Sequence, residues 1–152
     1  MGTVGSRMRA VARWRGGVQT DLDDGRGHSV VVDLPKHEGG ADLGPSALEL
    51  NVLSFAGCIS TVFALVARKR RLRYDAMTVE LEALRPDGAA TISRVEGTVR
   101  VVASSAPDDV ETAVRIALKT CPIGVLYERA HIPVRVRTVV SSPPKLAAPL
   151  HG

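Results

Sequence analysis

The side chains best placed for covalent chemistry in this chain are its two cysteines, Cys58 and Cys121. Cys58 sits in "LSFAGCIST", an apolar stretch that reads as helix. Residues three or four apart on a helix are neighbours, so Asn51, Ser54, Cys58 and Thr61 form a narrow polar stripe among aliphatic residues. A thiol with hydroxyl and amide neighbours can be hydrogen-bonded and oriented. Gly57 beside it costs roughly 0.5–1 kcal/mol relative to alanine in a helix interior, which suggests that something approaches closely there. The plainer reading is that Gly57 allows tight helix packing and that Cys58 is an inert core residue, as free cysteines commonly are.

Cys121 lies in "TCPIG". If Pro122 opens a short helix, Cys121 is its N-cap, and the partial positive charge at that end favours a thiolate. On local electrostatics Cys121 is then the more acidic thiol; the alternative is an ordinary capping residue. Two thiols on different elements suit a nucleophile and a resolver. One becomes a sulfenic acid on a peroxide and the other condenses with it to a disulfide. That chemistry needs the two Cα atoms within about 7 Å of each other.

Glu49 is the acid of the same helix. At about 100° per residue it lies half a turn away from Cys58, so the two face opposite ways on a straight helix. Glu49 could reach Cys58 of a partner chain, pair with an arginine, or serve as a first-turn acid favoured by the helix dipole. The four histidines, His28, His37, His131 and His151, stand at no metal-ligand spacing from one another or from a cysteine. No zinc site is expected.

The elements that must position these residues are legible from periodicity. The chain has 152 residues, 45% hydrophobic and 24% charged, which suits one domain with a real core. That core must be aliphatic, since Trp14, Phe55, Phe63, Tyr74 and Tyr127 are all the aromatics there are. "RMRAVARW", "VQTDL" and "HSVVVDL" read as three strands separated by Gly-rich turns. "PKHEGGADLG" reads as a loop. A long helix is expected from about Pro45 to about Arg71, with Leu48, Val52, Phe55, Ile59, Val62 and Val66 at helical spacing. "DAMTVELEAL" and "SRVEGTVRVVAS" alternate as strands around the turn "RPDGAA". "APDDVETAVRIALKT" and "CPIGVLYERA" read as two further helices and "IPVRVRTVV" as a closing strand. This order predicts an α+β fold, one domain over 1–152 with its core in 7–140 and a loose tail over 141–152. Its sheets are expected to be mostly antiparallel around a long central helix. That helix is apolar nearly all round, so it should be buried on several sides, and a homodimer that sandwiches it is a reasonable expectation.

No uninterrupted apolar run of about 18 residues occurs, so neither a membrane span nor a membrane partner is expected. The start "MGTVGSRMRA" lacks the apolar core of a signal peptide, and Gly2 alone makes no lipidation signal. The expected location is the cytoplasm, where the cysteines rest reduced. The net charge is +4. The densest basic run, "RKRRLR" from Arg68 to Arg73, reads as cations at a helix C-terminus rather than a nucleic-acid patch.

The segments "GPSALELNVLSFAGC" and "KTCPIGVLYERAHIPVRVRTVV" resemble the helix-start signature and the second-cysteine segment of the OsmC/Ohr superfamily. "DLPKHEGGADLG" is similar to that family's Gly-Gly loop. Trp14, Gly17 and the Gly27-His28 pair resemble the OsmC-like branch more than the Ohr branch. The resemblance covers about residues 8 to 140. It implies an intertwined α+β homodimer with active sites at the subunit interface. It also implies a cofactor-free thiol peroxidase acting on organic hydroperoxides or hydrogen peroxide, regenerated by an external thiol or dithiol, in stress defence. On that resemblance Cys58 is the peroxidatic cysteine, Cys121 the resolving cysteine and Glu49 the helix-start acid. The sequence departs from the pattern at one position. The family's activating arginine, expected in the N-terminal strands, falls near Gln19 or Thr20, with Arg13, Arg15 and Arg26 close by. A chain without it would be a less activated thiol, and the same fold could serve as a non-enzymatic ligand-binding or redox-sensing module.

Overall fold

A computed structural model describes residues 5–145. Gly2, His151 and the part of the expected tail from 146 to 152 lie outside the described residues. The chain forms two compact units, residues 1–51 and 52–152.

The first unit is a three-stranded antiparallel sheet in the order β1-β2-β3, with β1 at Val11–Gly16, β2 at Gln19–Asp23 and β3 at Ser29–Val32. Gly16 and Gly17 turn the first hairpin with φ of 119° and 55°, where a side chain would be strained. Among the described residues this unit buries no apolar side chain. The one residue it buries is Asp33. Burial alone would raise that carboxyl's pKa, but the N–H groups of Leu34, Leu43 and Ala41 and the Gln19 amide outweigh it and hold Asp33 below the usual carboxylate range. The Asp33 Oδ2 atom accepts from Ala41 N at 3.1 Å, Leu43 N at 3.2 Å and Gln19 Nε2 at 3.2 Å; its Oδ1 accepts from Leu34 N at 2.8 Å. The loop after β3, with a short 3-10 turn at Lys36–Glu38, is therefore folded around one carboxylate. Gly40 is required there: a Cβ would stand 1.8 Å from the Leu34 carbonyl oxygen.

The second unit holds the hydrophobic core. The long helix α1 runs Ala47–Arg70 and crosses from one unit into the other. Beyond it come β4 at Tyr74–Leu84, β5 at Arg94–Ala103, α2 at Pro107–Thr120, α3 at Pro122–Arg129 and β6 at Val134–Ser141. β4 and β5 form the expected antiparallel hairpin. β6 lies parallel to β5, which corrects the expectation for this pair. The reason is topological: the α2–α3 connection returns the chain to the starting end of β5, and only such a crossover permits parallel pairing. Val95, Val99, Val101 and Ala103 face inward with Val110, Ala113, Val114 and Ala117 of α2. Gly97 opposes Leu81 in the register; a Cβ there would meet the Glu80 carbonyl oxygen at 2.2 Å and Leu81 Cδ2 at 2.6 Å.

One expectation about α1 changes. Pro45 lies outside the helix, and the start is made by Ser46 and Glu49 in a reciprocal cap. Ser46 N donates to Glu49 Oε2 at 2.7 Å, and Glu49 N donates to Ser46 Oγ at 3.3 Å. Within a single chain the helix is buried along one side, as expected of a domain too small to wrap it. Phe55, Ile59, Phe63 and Ala67 form one buried stripe, while Leu53 and Leu65 are exposed. By length and composition α1 could cross a bilayer, because Ser54, Ser60 and Thr61 interrupt the apolar run without making it polar. Core helices pass the same test, and only 22% of its most apolar window is buried within this chain. At its other end Arg71 takes a left-handed φ of 56°, with Leu72 N donating to the Ala67 carbonyl at 2.9 Å. This is the usual helix stop with an arginine where glycine is commonest. Arg70 meets Asp109 at 3.6 Å, so one member of the basic run is tied to α2.

Gly97→Ala should cost about 1–3 kcal/mol in urea unfolding, because β4 must move to admit the methyl group. Asp33→Asn removes an acceptor that serves three N–H groups. Since the folded-state pKa of Asp33 is depressed, its contribution is present above the ordinary carboxyl range near 3.9 and lost as pH falls through the folded value. The variant should be less stable than the unmodified protein at pH 7 and should show a shallower loss of stability below about pH 4.

Candidate functional site

The two cysteines are free thiols brought together by three helices of the second unit. Cys58 lies in the middle of α1 and is half-buried. It follows Phe55 by three residues and directly precedes Ile59, both of which enter the core. Cys121 is fully buried at the joint between α2 and α3, closing one and capping the other. Its N–H donates to the Ala117 carbonyl at 2.9 Å, its carbonyl accepts from Val125 N at 3.0 Å, and its Sγ accepts from Gly124 N at 3.4 Å.

The Cys121 thiol feels Cys58, so the two side chains are neighbours. This meeting is what the sequence could not establish. It depends on how closely α3 lies against α1. The Phe55 ring stacks on Tyr127 with centroids 4.7 Å apart and planes 21° from parallel. Gly124 leaves the gap between them: a Cβ would stand 3.3 Å from both Phe55 Cε2 and the Leu118 carbonyl oxygen.

The expectation that Cys121 is the more acidic thiol is overturned. Burial pushes its pKa up, and the hydrogen bond with Cys58 adds to that; the N–H groups of Gly124 and Ile123 pull the other way and lose, leaving Cys121 at about 11. A helix end stabilises a thiolate only where the surroundings do not withhold solvation, and here they do. Cys121 therefore keeps its proton at neutral pH.

A Cβ at Gly57 would meet nothing within 4 Å, so none of the described residues makes the close approach that Gly57 suggested. Next to Phe55 and Gly124 is a cavity of about 350 Å³ whose walls include Leu118, Ile132, Val134 and Val136, with Lys119 and Glu128 as its charged members.

Glu49 is placed at the start of α1, on the reciprocal cap with Ser46, and the N–H and hydroxyl of Ser46 hold its carboxyl below its ordinary value. The arginines near the expected activating position are engaged locally: Arg13 with Asp23, Arg15 with Asp21 and Arg26 with Asp24. Gln19 is committed to Asp33. Three features escaped the sequence reading. The Asp33 hub was signalled only by an acid ending an apolar strand before a Gly-rich loop. The capping box was legible as Ser46-x-x-Glu49. The Phe55–Tyr127 contact carried no local signal at all.

Iodoacetamide should alkylate Cys58 well before Cys121 at pH 7–8 in the native protein, with peptide mass spectrometry assigning the site. Equal rates, or Cys121 first, would contradict the burial and proton placement described above.

A family model described as OsmC-like protein matches residues 39–137. Among curated proteins none matches. An OsmC-like protein from Mycoplasma pneumoniae is similar in structure, with a TM-score of 0.79 at 13% identity, covering 91% of this chain and 99% of that one. An OsmC-like protein of unknown function from Vibrio cholerae gives 0.72 at 16% identity, covering 90% and 99%. An organic hydroperoxide resistance protein from Elizabethkingia anophelis, with thiocyanate bound, gives 0.72 at 20% identity, covering 93% and 100%. The likeness to these structures is one of fold. With the match spanning both cysteines and the loop before α1, the chain belongs to the OsmC-like family.

Proposed function

We propose that this protein is a cysteine-based peroxidase in which Cys58 reduces an organic hydroperoxide or hydrogen peroxide and Cys121 resolves the oxidised thiol. The observation that carries the reading is the nearness of a half-buried thiol on α1 to a fully buried one at the head of α3. The Cys58 thiolate attacks the terminal peroxide oxygen. The O–O bond breaks, the alkoxide or hydroxide takes a proton from solvent, and Cys58 becomes a sulfenic acid. Cys121 then loses its proton, its sulfur attacks that of Cys58, and hydroxide leaves as water when protonated. An external thiol or dithiol returns the disulfide to two thiols. The apolar cavity beside Phe55 and Gly124 favours a peroxide with a hydrocarbon body. The organic hydroperoxide resistance protein with the same fold is consistent with that substrate class.

Glu49 enters the reading by ordering the start of the helix that bears Cys58 and, in a dimer, by facing the partner copy's site. The homodimer is supported by what each unit leaves uncovered. Leu53 and Leu65 on α1 and Trp14 on β1 are exposed, and the first unit buries no apolar side chain of its own. A second copy would cover such surface. We place the protein in the cytoplasm, where reduced thiols rest, with neither a nucleic-acid nor a membrane partner.

A specific observation favours a second reading. Arg13, Arg15 and Arg26 are each paired with a neighbouring aspartate, which commits the cations nearest the expected activating position. The fold would then serve as a small-ligand-binding or redox-sensing module. Stopped-flow oxidation by cumene hydroperoxide and by hydrogen peroxide separates the two. The peroxidase reading expects rapid consumption that Cys58→Ser abolishes, and a Cys58–Cys121 disulfide in the product. Slow consumption unaffected by Cys58→Ser would leave the binding module.

A further inference from the structure

We propose that the cavity beside Phe55 and Gly124 is a site for a small zwitterion with an apolar side chain, a free aliphatic amino acid such as leucine. The inference rests on the reading of this cavity as the place of the substrate's hydrocarbon body, and it names the charged end of that body. The cavity belongs wholly to the second unit and measures about 350 Å³. That is the small end of the roughly 300–1,000 Å³ typical of small-molecule sites, which suits a short branched body better than a long chain. Its depth is apolar. Phe55 is 1% exposed, and Leu118, Ile132, Val134 and Val136 are half-buried.

The rim is charged, with one side chain of each sign. Lys119 and Glu128 are exposed, and the side chain of neither makes an ion pair or hydrogen bond among the described residues. Lys119 lies in the last turn of α2, where the helix dipole favours a cation. Glu128 is the penultimate residue of α3, at the end where the same dipole disfavours an acid. An acid in that place, with no cation paired to it, is better explained by a ligand than by the stability of α3. An ammonium at Glu128 and a carboxylate at Lys119 answer both charges, and each contact is a charge-assisted hydrogen bond. A ligand with a single charge answers only one of them. The ammonium and carboxylate of an amino acid share one carbon, and two long side chains on different helices can close on it from opposite directions.

The bound side chain then lies against Gly124 and Phe55, the two residues that join the cavity to the thiols. Gly124 N donates to Cys121 Sγ at 3.4 Å, and Phe55 precedes Cys58 by three residues on α1. The substrate is accordingly the side-chain hydroperoxide of an aliphatic amino acid. Its O–O bond breaks as Cys58 takes the terminal oxygen and becomes a sulfenic acid, and the side chain takes a proton and leaves as the alcohol.

The test is isothermal titration calorimetry of the reduced full chain with three compounds of the same branched body: leucine, isoamylamine with the ammonium alone, and isocaproate with the carboxylate alone. Leucine should bind about fivefold more tightly than either, the scale of one solvent-exposed ion pair. Lys119→Gln should remove the preference for leucine over isoamylamine, and Glu128→Gln the preference over isocaproate. Both positions are exposed, so the variants keep the fold. No heat with leucine, equal affinity for the three compounds, or preferences that survive both substitutions each overturn the inference. The titration uses no peroxide. Leucine binding without consumption of cumene hydroperoxide sinks the peroxidase and leaves the site; consumption of cumene hydroperoxide without leucine binding removes the site and leaves the peroxidase.

Discussion

The close approach of α3 to α1 is the contact on which the chemistry depends. It is made by one missing side chain and one stacked pair. Gly124 has no Cβ to hold the helices apart, and Phe55 lies flat on Tyr127. Phe55 is one turn before Cys58, and Gly124 is three residues after Cys121. Aromatic stacking adds about 0.5–1.5 kcal/mol to the area it buries; a second aromatic pair, Phe63 edge-on to Tyr74, lies further along α1.

Burial then assigns the roles. A cysteine at a helix start is acidified by the exposed N–H groups, and a cysteine in the core is not. Cys121 has both environments at once, and the desolvation is larger. Its sulfur accepts from Gly124 N at 3.4 Å, and the N–H groups at the start of α3 do not make up for the water it has lost. Cys58, in mid-helix, has the less favourable backbone position and the better access to solvent. Position along the helix is thus a weaker determinant of thiol behaviour here than depth.

The first unit illustrates the opposite use of an ionisable group. Asp33 is as buried as Cys121, yet three backbone N–H groups and an amide converge on it, and its charge is retained. It organises the loop that leads to α1, and Gly40 must be glycine for that loop to close. Gln19 stands near where an activating arginine was sought and is an element of this hub. The sheet around it carries exposed ion pairs rather than a hydrophobic interior, each of them worth little by itself.

Much of this protein was legible in the residue order. Strand alternation, the helical spacing through α1, and the turn residues located all six strands and three helices, because these depend on near neighbours along the chain. The two segments around Cys58 and Cys121 were sufficient to suggest the family. What the order could not specify was decided by contacts between distant residues. The parallel pairing of β5 with β6 follows from where the α2–α3 crossover delivers the chain. The one-sided burial of α1 follows from which faces find partners, since an apolar composition says nothing about how many sides are covered. The meeting of Cys58 with Cys121, and the proton that stays on Cys121, require two helices to pack over a glycine. Periodicity reports which face an element turns inward; it does not report what that face will touch, and desolvation, which sets the behaviour of a thiol, is a property of what it touches.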